Sequence, residues 1–144
     1  MSNSLETILV ALDGSEPSQR ALDFAITLAQ SSGARLELVT ILDLAHLDPE
    51  AGFYLTEAEL EKLRQKLGGD ILDPAREKVP PEVTCETTLL EGRVVERMLS
   101  YIDDKKPSMV VLGRTGKTAF QRLLEGSVSR GIVTHASSPV TVVG

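Results

Sequence analysis

The sequence predicts an α/β protein, a doubly wound five-stranded parallel sheet of order 3-2-1-4-5 with helices on both faces. Three observations predict it. The continuous apolar runs Thr7 to Asp13 and Ser108 to Gly113 read as strands buried on both faces, which belong mainly to parallel sheets. Segments of strand character alternate with segments of helical period along the chain, the signature of right-handed crossovers covering both sheet faces. A length of 144 residues suits one domain, spanning residues 1–144.

The elements follow in order. After the first strand, Pro17 to Ser31 places Ala21, Leu22, Ala25, Ile26 and Ala29 on one stripe, with Ser15 as N-cap and Gly33 as stop. Arg35 to Leu42 gathers Leu36, Leu38, Val39, Ile41 and Leu42 into a second strand. Thr56 to Lys78 repeats Leu60, Leu63, Leu67 and Ile71 at helical spacing, and Gly68-Gly69 and Pro74 are expected to bend or interrupt it. Val83 to Leu90 reads as the third strand, and Val94, Val95, Met98, Leu99 and Ile102 form the stripe of the third helix. Ser108 to Gly113 is the fourth strand; a fourth helix starts near Ser127 and carries Val128, Ile132 and Val133, and Val140 to Val143 is the last strand. The long irregular connection Asp43 to Leu55 could lie over a pocket. The two most apolar strands, one and four, make the central pair, so Asp13 and Gly113 emerge side by side where ligands collect in such sheets.

Composition narrows the function. Fifteen Lys+Arg against 21 Asp+Glu leave a net charge of −6, which disfavours nucleic acid and anionic lipid as partners. The single cysteine, Cys85, excludes an internal disulfide, and with only His46 and His135 beside it the usual Cys/His zinc frameworks are excluded too. No signal-peptide core and no membrane-length apolar run is present, so a cytoplasmic location is expected.

The chemistry concentrates after strand four. Gly113, Gly116, Gly126 and Ser127 stand in a pattern of Gly, two residues, Gly, nine residues, Gly-Ser, with Ser129 close behind. Glycines at a strand end let backbone N–H groups converge on an anion, and a helix beginning at Ser127 adds free amides and the positive end of its dipole. Chance supplies such a pattern in this composition only about 0.01 times. The segment 113–118 is not a Walker A loop, which needs four residues between its glycine and the Gly-Lys pair where this chain has two. Lys117 and Arg114 are candidate phosphate contacts, with solvated loop cations as the alternative reading. The turn after strand one lacks the glycine fingerprint of dinucleotide-binding folds.

Val10-Ala-Leu-Asp13-Gly-Ser15, the spaced glycines and the closing Ser138-Pro-Val-Thr-Val-Val143 together resemble the universal stress protein family, in its ATP-binding branch, over almost the whole chain. The resemblance implies a Rossmann-like sheet, binding of ATP, ADP or AMP, and a homodimer. It implies that Gly113, Gly116, Gly126, Ser127, Val128 and Ser129 surround ribose and phosphates, with Asp13 beside the ribose or a phosphate-bound Mg. It also implies that the adenine edge meets the backbone near Ile41 with Ala11 as floor.

Plainer roles stand beside these. Asp13 can cap the first helix, His135 can complement a helix dipole, Cys85 can be an inert packing thiol, and the alternating charges of helix two form a solvated face. Strand 140–143, short and β-branched at the chain end, reads as a sheet edge through which two copies can pair. The leading function is a stress-response signalling module in which nucleotide occupancy alters loop 114–125 and partner contacts. The alternative is a slow ATP hydrolase or an adenylyl- or phosphoryl-transfer enzyme, for which Asp13, Lys117 and Arg114 are the only candidate groups and no catalytic residue is assigned. A third is a scaffold with a vestigial cradle.

Overall fold

A computed structural model of the chain describes residues 5–44, 55–113, 133 and 135–144. Its elements run β1 (Thr7–Ala11), α1 (Glu16–Ser32), β2 (Arg35–Leu42), α2 (Glu57–Lys78), β3 (Cys85–Glu91), α3 (Val94–Lys105), β4 (Met109–Gly113) and β5 (Val140–Val143). The strands form one sheet of order β3-β2-β1-β4-β5 in which every neighbouring pair is parallel, as the sequence predicts. The start of the fourth helix and most of the connection 43–55 fall outside the described residues; Val133 and His135 are helical.

The alternation of side chains along a strand divides the core in two. Ile8, Val10, Leu36, Leu38 and Val111 face α1 and α2, where they meet Ala21, Leu22, Ala25, Leu72 and Ala75. Leu9, Ala11, Val39, Ile41, Val110 and Leu112 face α3 and pack on Met98, Tyr101 and Ile102. Most of these core side chains on β1, β2 and β4 are wholly buried, and each full burial of a Leu, Ile or Val contributes roughly 1.5–3 kcal/mol before chain entropy is set against it. Small residues on α1 let that helix lie close against β1 and β4.

Several boundaries differ from the sequence reading, each for a visible reason. β1 ends at Ala11 rather than Asp13, because the Leu12 N–H makes a last bond to the Val39 carbonyl (2.8 Å) and the chain then turns at Gly14 with φ +83°. β3 begins at Cys85 rather than Val83, whose amide is taken by the Pro80 carbonyl in a turn (3.0 Å). α2 is one continuous helix of 22 residues, so Gly68-Gly69 and Pro74, expected to bend or interrupt it, do not interrupt it. Gly68 is buried against the Leu89 side chain of β3, where an added Cβ would stand 2.9 Å from Cδ2, so this glycine allows close packing. Pro74 costs a helix interior about 3 kcal/mol, and the burial of Leu72 and Ala75 on either side of it offsets this.

Candidate functional site

The carboxyl ends of β1, β2 and β4 meet at one end of the sheet. The register Val10↔Val111 between β1 and β4, continued by two residues, sets Gly113 level with Leu12, one residue before Asp13. Asp13 and Gly113 therefore leave adjacent strands side by side, as expected from strand apolarity.

Asp13 is held by a chain of local bonds. Its Oδ1 accepts from the Ser15 N–H (2.9 Å), Ser15 Oγ accepts from the Ser18 N–H (3.3 Å), and Ser18 Oγ donates to the Ser15 carbonyl (2.9 Å). Ser15 is thus the N-cap of α1, and Asp13 supports the turn before it. One carboxylate oxygen does this structural work, and among the described residues Oδ2 is left for another partner. The capping reading and the ligand reading of Asp13 are compatible.

The start of α1 is not an anion cradle. The Ser18 amide is taken by Ser15 Oγ, the Gln19 amide by the Ser15 carbonyl (3.1 Å), and Pro17 has no amide. With two of the first-turn amides engaged and one absent, the glycine-spaced segment after β4 is the candidate source of a backbone grip on phosphate.

Gly113 has a role that the sequence did not reveal. A Cβ built on it would stand 2.5 Å from the Pro17 carbonyl carbon, 2.6 Å from the Pro17 oxygen and 2.9 Å from Pro17 Cβ. A side chain here would strike the first turn of α1, so close packing against Pro17 requires glycine at this position. The other residues assigned to the anion, Arg114, Gly116, Lys117, Gly126, Ser127, Val128 and Ser129, lie outside the described residues, as does loop 114–125.

Ala11 and Ile41 are buried together on the α3 face, and they sit beside Asp13 and Gly113 at the carboxyl end. Backbone alternation gives Ile41 a further property. Val39 accepts from Leu12 of β1, whereas Leu42 accepts from Gly92 after β3 (3.0 Å). Ile41, two residues beyond Val39, accordingly directs its N–H and C=O to the β1 side, past the end of the β1 ladder. An adjacent donor and acceptor on one strand edge match the paired hydrogen-bonding edge of a purine, and the small Ala11 leaves room for a planar ring.

The remaining polar residues have other roles. Among the described residues no group of three or more His, Cys, Asp or Glu could hold a metal ion. Cys85 is half-buried, and burial pushes its thiol above the ordinary range, consistent with a packing role. The sequence reading missed Glu37, a buried carboxylate on β2 whose Oε1 accepts from Tyr101 Oη and from Thr88 Oγ1 (3.4 Å). Its only signal was an acid inside an apolar strand. It lies toward the amino end of β2, away from the site, and ties α3 to the sheet.

The universal stress protein family model matches residues 4–144. The chain belongs to the universal stress protein family. A universal stress protein of Thermus aquaticus is 34% identical over 146 residues, covering 96% of this chain and 98% of its own length. Among solved structures, a family member from Burkholderia pseudomallei superposes with a TM-score of 0.65 at 30% identity, covering 96% of both chains. An Arabidopsis thaliana member solved with AMP bound has a TM-score of 0.63 at 18% identity, covering 96% of this chain and 90% of its own. A universal stress protein solved in complex with cAMP has a TM-score of 0.69 at 22% identity, covering 98% of both. The last two share the universal stress protein fold with this chain. Among the described residues, no helix of this universal stress protein is long and apolar enough to cross a membrane.

Proposed function

We propose that this universal stress protein binds an adenine nucleotide, ATP or its ADP or AMP products, as a homodimer, and that occupancy sets the conformation of loop 114–125 and hence its contacts with a protein partner. The observation that carries the reading is the Ile41 N–H and C=O presented past the end of β1, beside Ala11 and the Asp13 carboxylate. In this arrangement Ile41 reads the adenine edge and Asp13 Oδ2 receives a ribose hydroxyl or a phosphate-bound Mg. The glycine-spaced segment from Gly113 through Gly116 and Gly126 to Ser129 wraps the phosphates with its amides. The AMP and cAMP complexes of the two fold neighbours support an adenine ligand. The triphosphate rests on the glycine spacing, and Mg on the Asp13 carboxylate beside it. β5 forms a sheet edge with Val142 exposed, which suits pairing with the β5 of a second copy.

The nucleotide bound should bias the loop only through different affinity for its two conformations. Calorimetry with AMP, ADP, ATP and cAMP, each with and without Mg, tests the reading. Binding in roughly the micromolar range, about −8 kcal/mol, is the expected result. No heat with any of the four refutes it. With no Trp and two Tyr in the chain, copurified adenine would also dominate absorbance near 260 nm.

A further inference from the structure

On the opposite face of the sheet from Ala11 and Ile41, a cavity of about 180 Å³ opens between α1 and α2. Its floor is Leu22, Ile71 and Ala75, and its rim carries Gln19, Asp70 and Lys78. A dry cavity of about 150 Å³ is enough to admit benzene, so this one suits a single small ring or a short branched chain. An apolar floor with a few convergent polar groups is the usual form of a small-molecule site.

We infer that this cleft is a second ligand site, selective for a compact molecule that carries an ammonium group on a small apolar body. The chemistry of the rim sets the charge. Pro74 lines the cavity and has no N–H, so the carbonyl of Asp70, four residues earlier and itself a lining residue, lacks its helical partner. The Asp70 carboxylate meets only Lys66, loosely at 3.6 Å, with both side chains largely exposed. The one cation of the rim, Lys78, is held at 2.8 Å by Asp23. Asp70 therefore brings to the rim a carbonyl without its helical donor and a loosely paired carboxylate, beside a Lys78 already held closely by Asp23, and a ligand bringing N–H donors and a positive charge matches that balance. The site lies on the other face of the sheet from Ala11 and Ile41, and it borders the nucleotide reading only at the Asp13 turn, where Leu12, Gly14 and Ser18 belong to its lining.

Benzylamine serves as the probe, with benzoate as the anionic control of the same size. Backbone amide shifts are followed by NMR on the full chain. Benzylamine should move Gly14, Gln19, Leu22, Ile71 and Ala75 saturably, with Kd of roughly 1–10 mM for a ligand of this size. Benzoate should leave them unmoved. Asp70→Asn, at a side chain 65% exposed and so without risk to folding, should weaken benzylamine at least about fivefold. Ala75→Leu should fill the cavity and abolish the saturable shifts. The proposal is overturned by unsaturable or absent shifts up to about 20 mM benzylamine, by equal binding of benzoate, by unchanged affinity in Asp70→Asn, or by shifts centred on Ala11 and Ile41. Absence of nucleotide binding leaves these readouts untouched, so the two readings fail separately.

Discussion

Gly113→Ala separates packing from ligand binding at the residue where the two were hardest to tell apart. The added methyl would lie 2.5 and 2.6 Å from the Pro17 carbonyl carbon and oxygen, which are main-chain atoms and have no rotamer to retreat into. Relief requires the first turn of α1 to move away from β4, or the end of β4 to move away from α1. Overpacking of this kind costs typically 1–3 kcal/mol, and a clash with backbone belongs at the upper end, about 2–3 kcal/mol. For a domain of 144 residues, about 3–4 °C per kcal/mol gives a fall in Tm of roughly 6–12 °C. Thermal unfolding followed by circular dichroism, with nucleotide stripped from the protein, reads this directly. A Tm within about 2 °C of the parent protein, accompanied by loss of nucleotide affinity, would refute the packing argument and return Gly113 to a purely phosphate-facing role.

Other substitutions and conditions probe the remaining links. Tyr101 has its pKa pushed up to about 12, first by burial and then by its bond to the Glu37 carboxylate. The unfolded phenol ionises near its ordinary value of 10, so this stability is complete below pH 10 and is lost as pH rises toward the folded value. Urea unfolding should therefore show stability falling across that window, and Tyr101→Phe should flatten the fall while costing about 1–3 kcal/mol at neutral pH, because Glu37 loses its buried donor. Ser15→Ala removes the N-cap of α1 and should cost about 1 kcal/mol in denaturant unfolding, with or without nucleotide. Asp13→Asn keeps an acceptor for the Ser15 amide, so stability should change by under about 1 kcal/mol while nucleotide affinity, read by calorimetry, falls at least about tenfold. Val142→Asp on the exposed edge strand should turn a dimer into a monomer in sedimentation velocity; a parent chain that already sediments as a monomer counts against pairing through β5.

The fold was largely legible because its signals are local or periodic. Runs such as Ile8 to Leu12 announce two buried faces, and the α1 stripe of Ala21, Leu22, Ala25 and Ala29 announces one. Ser15 and Gly33 mark the ends of α1 through bonds to residues a few positions away. The strand order followed from handedness and from which strands were most apolar. The neighbourhood of Asp13 and Gly113 followed from that order in turn. Chain-local rules could not show that α2 continues past Gly68 and Pro74, where a bend or an interruption was expected: whether a glycine weakens a helix or lets it approach Leu89 depends on a strand elsewhere in the chain.

The sequence by itself therefore determined the class of fold, the order of its strands and the end of the sheet at which a ligand would gather, since these depend on hydrophobic period and crossover handedness. Only the tertiary structure decided that Gly113 makes room for Pro17, that Glu37 is sheltered by Tyr101 and Thr88, and that Pro74 frees a carbonyl beside a cavity. Each of these rests on contacts between elements far apart in the chain, at distances where a few tenths of an ångström separate a fit from a clash, and no local pattern of residue types carries that information.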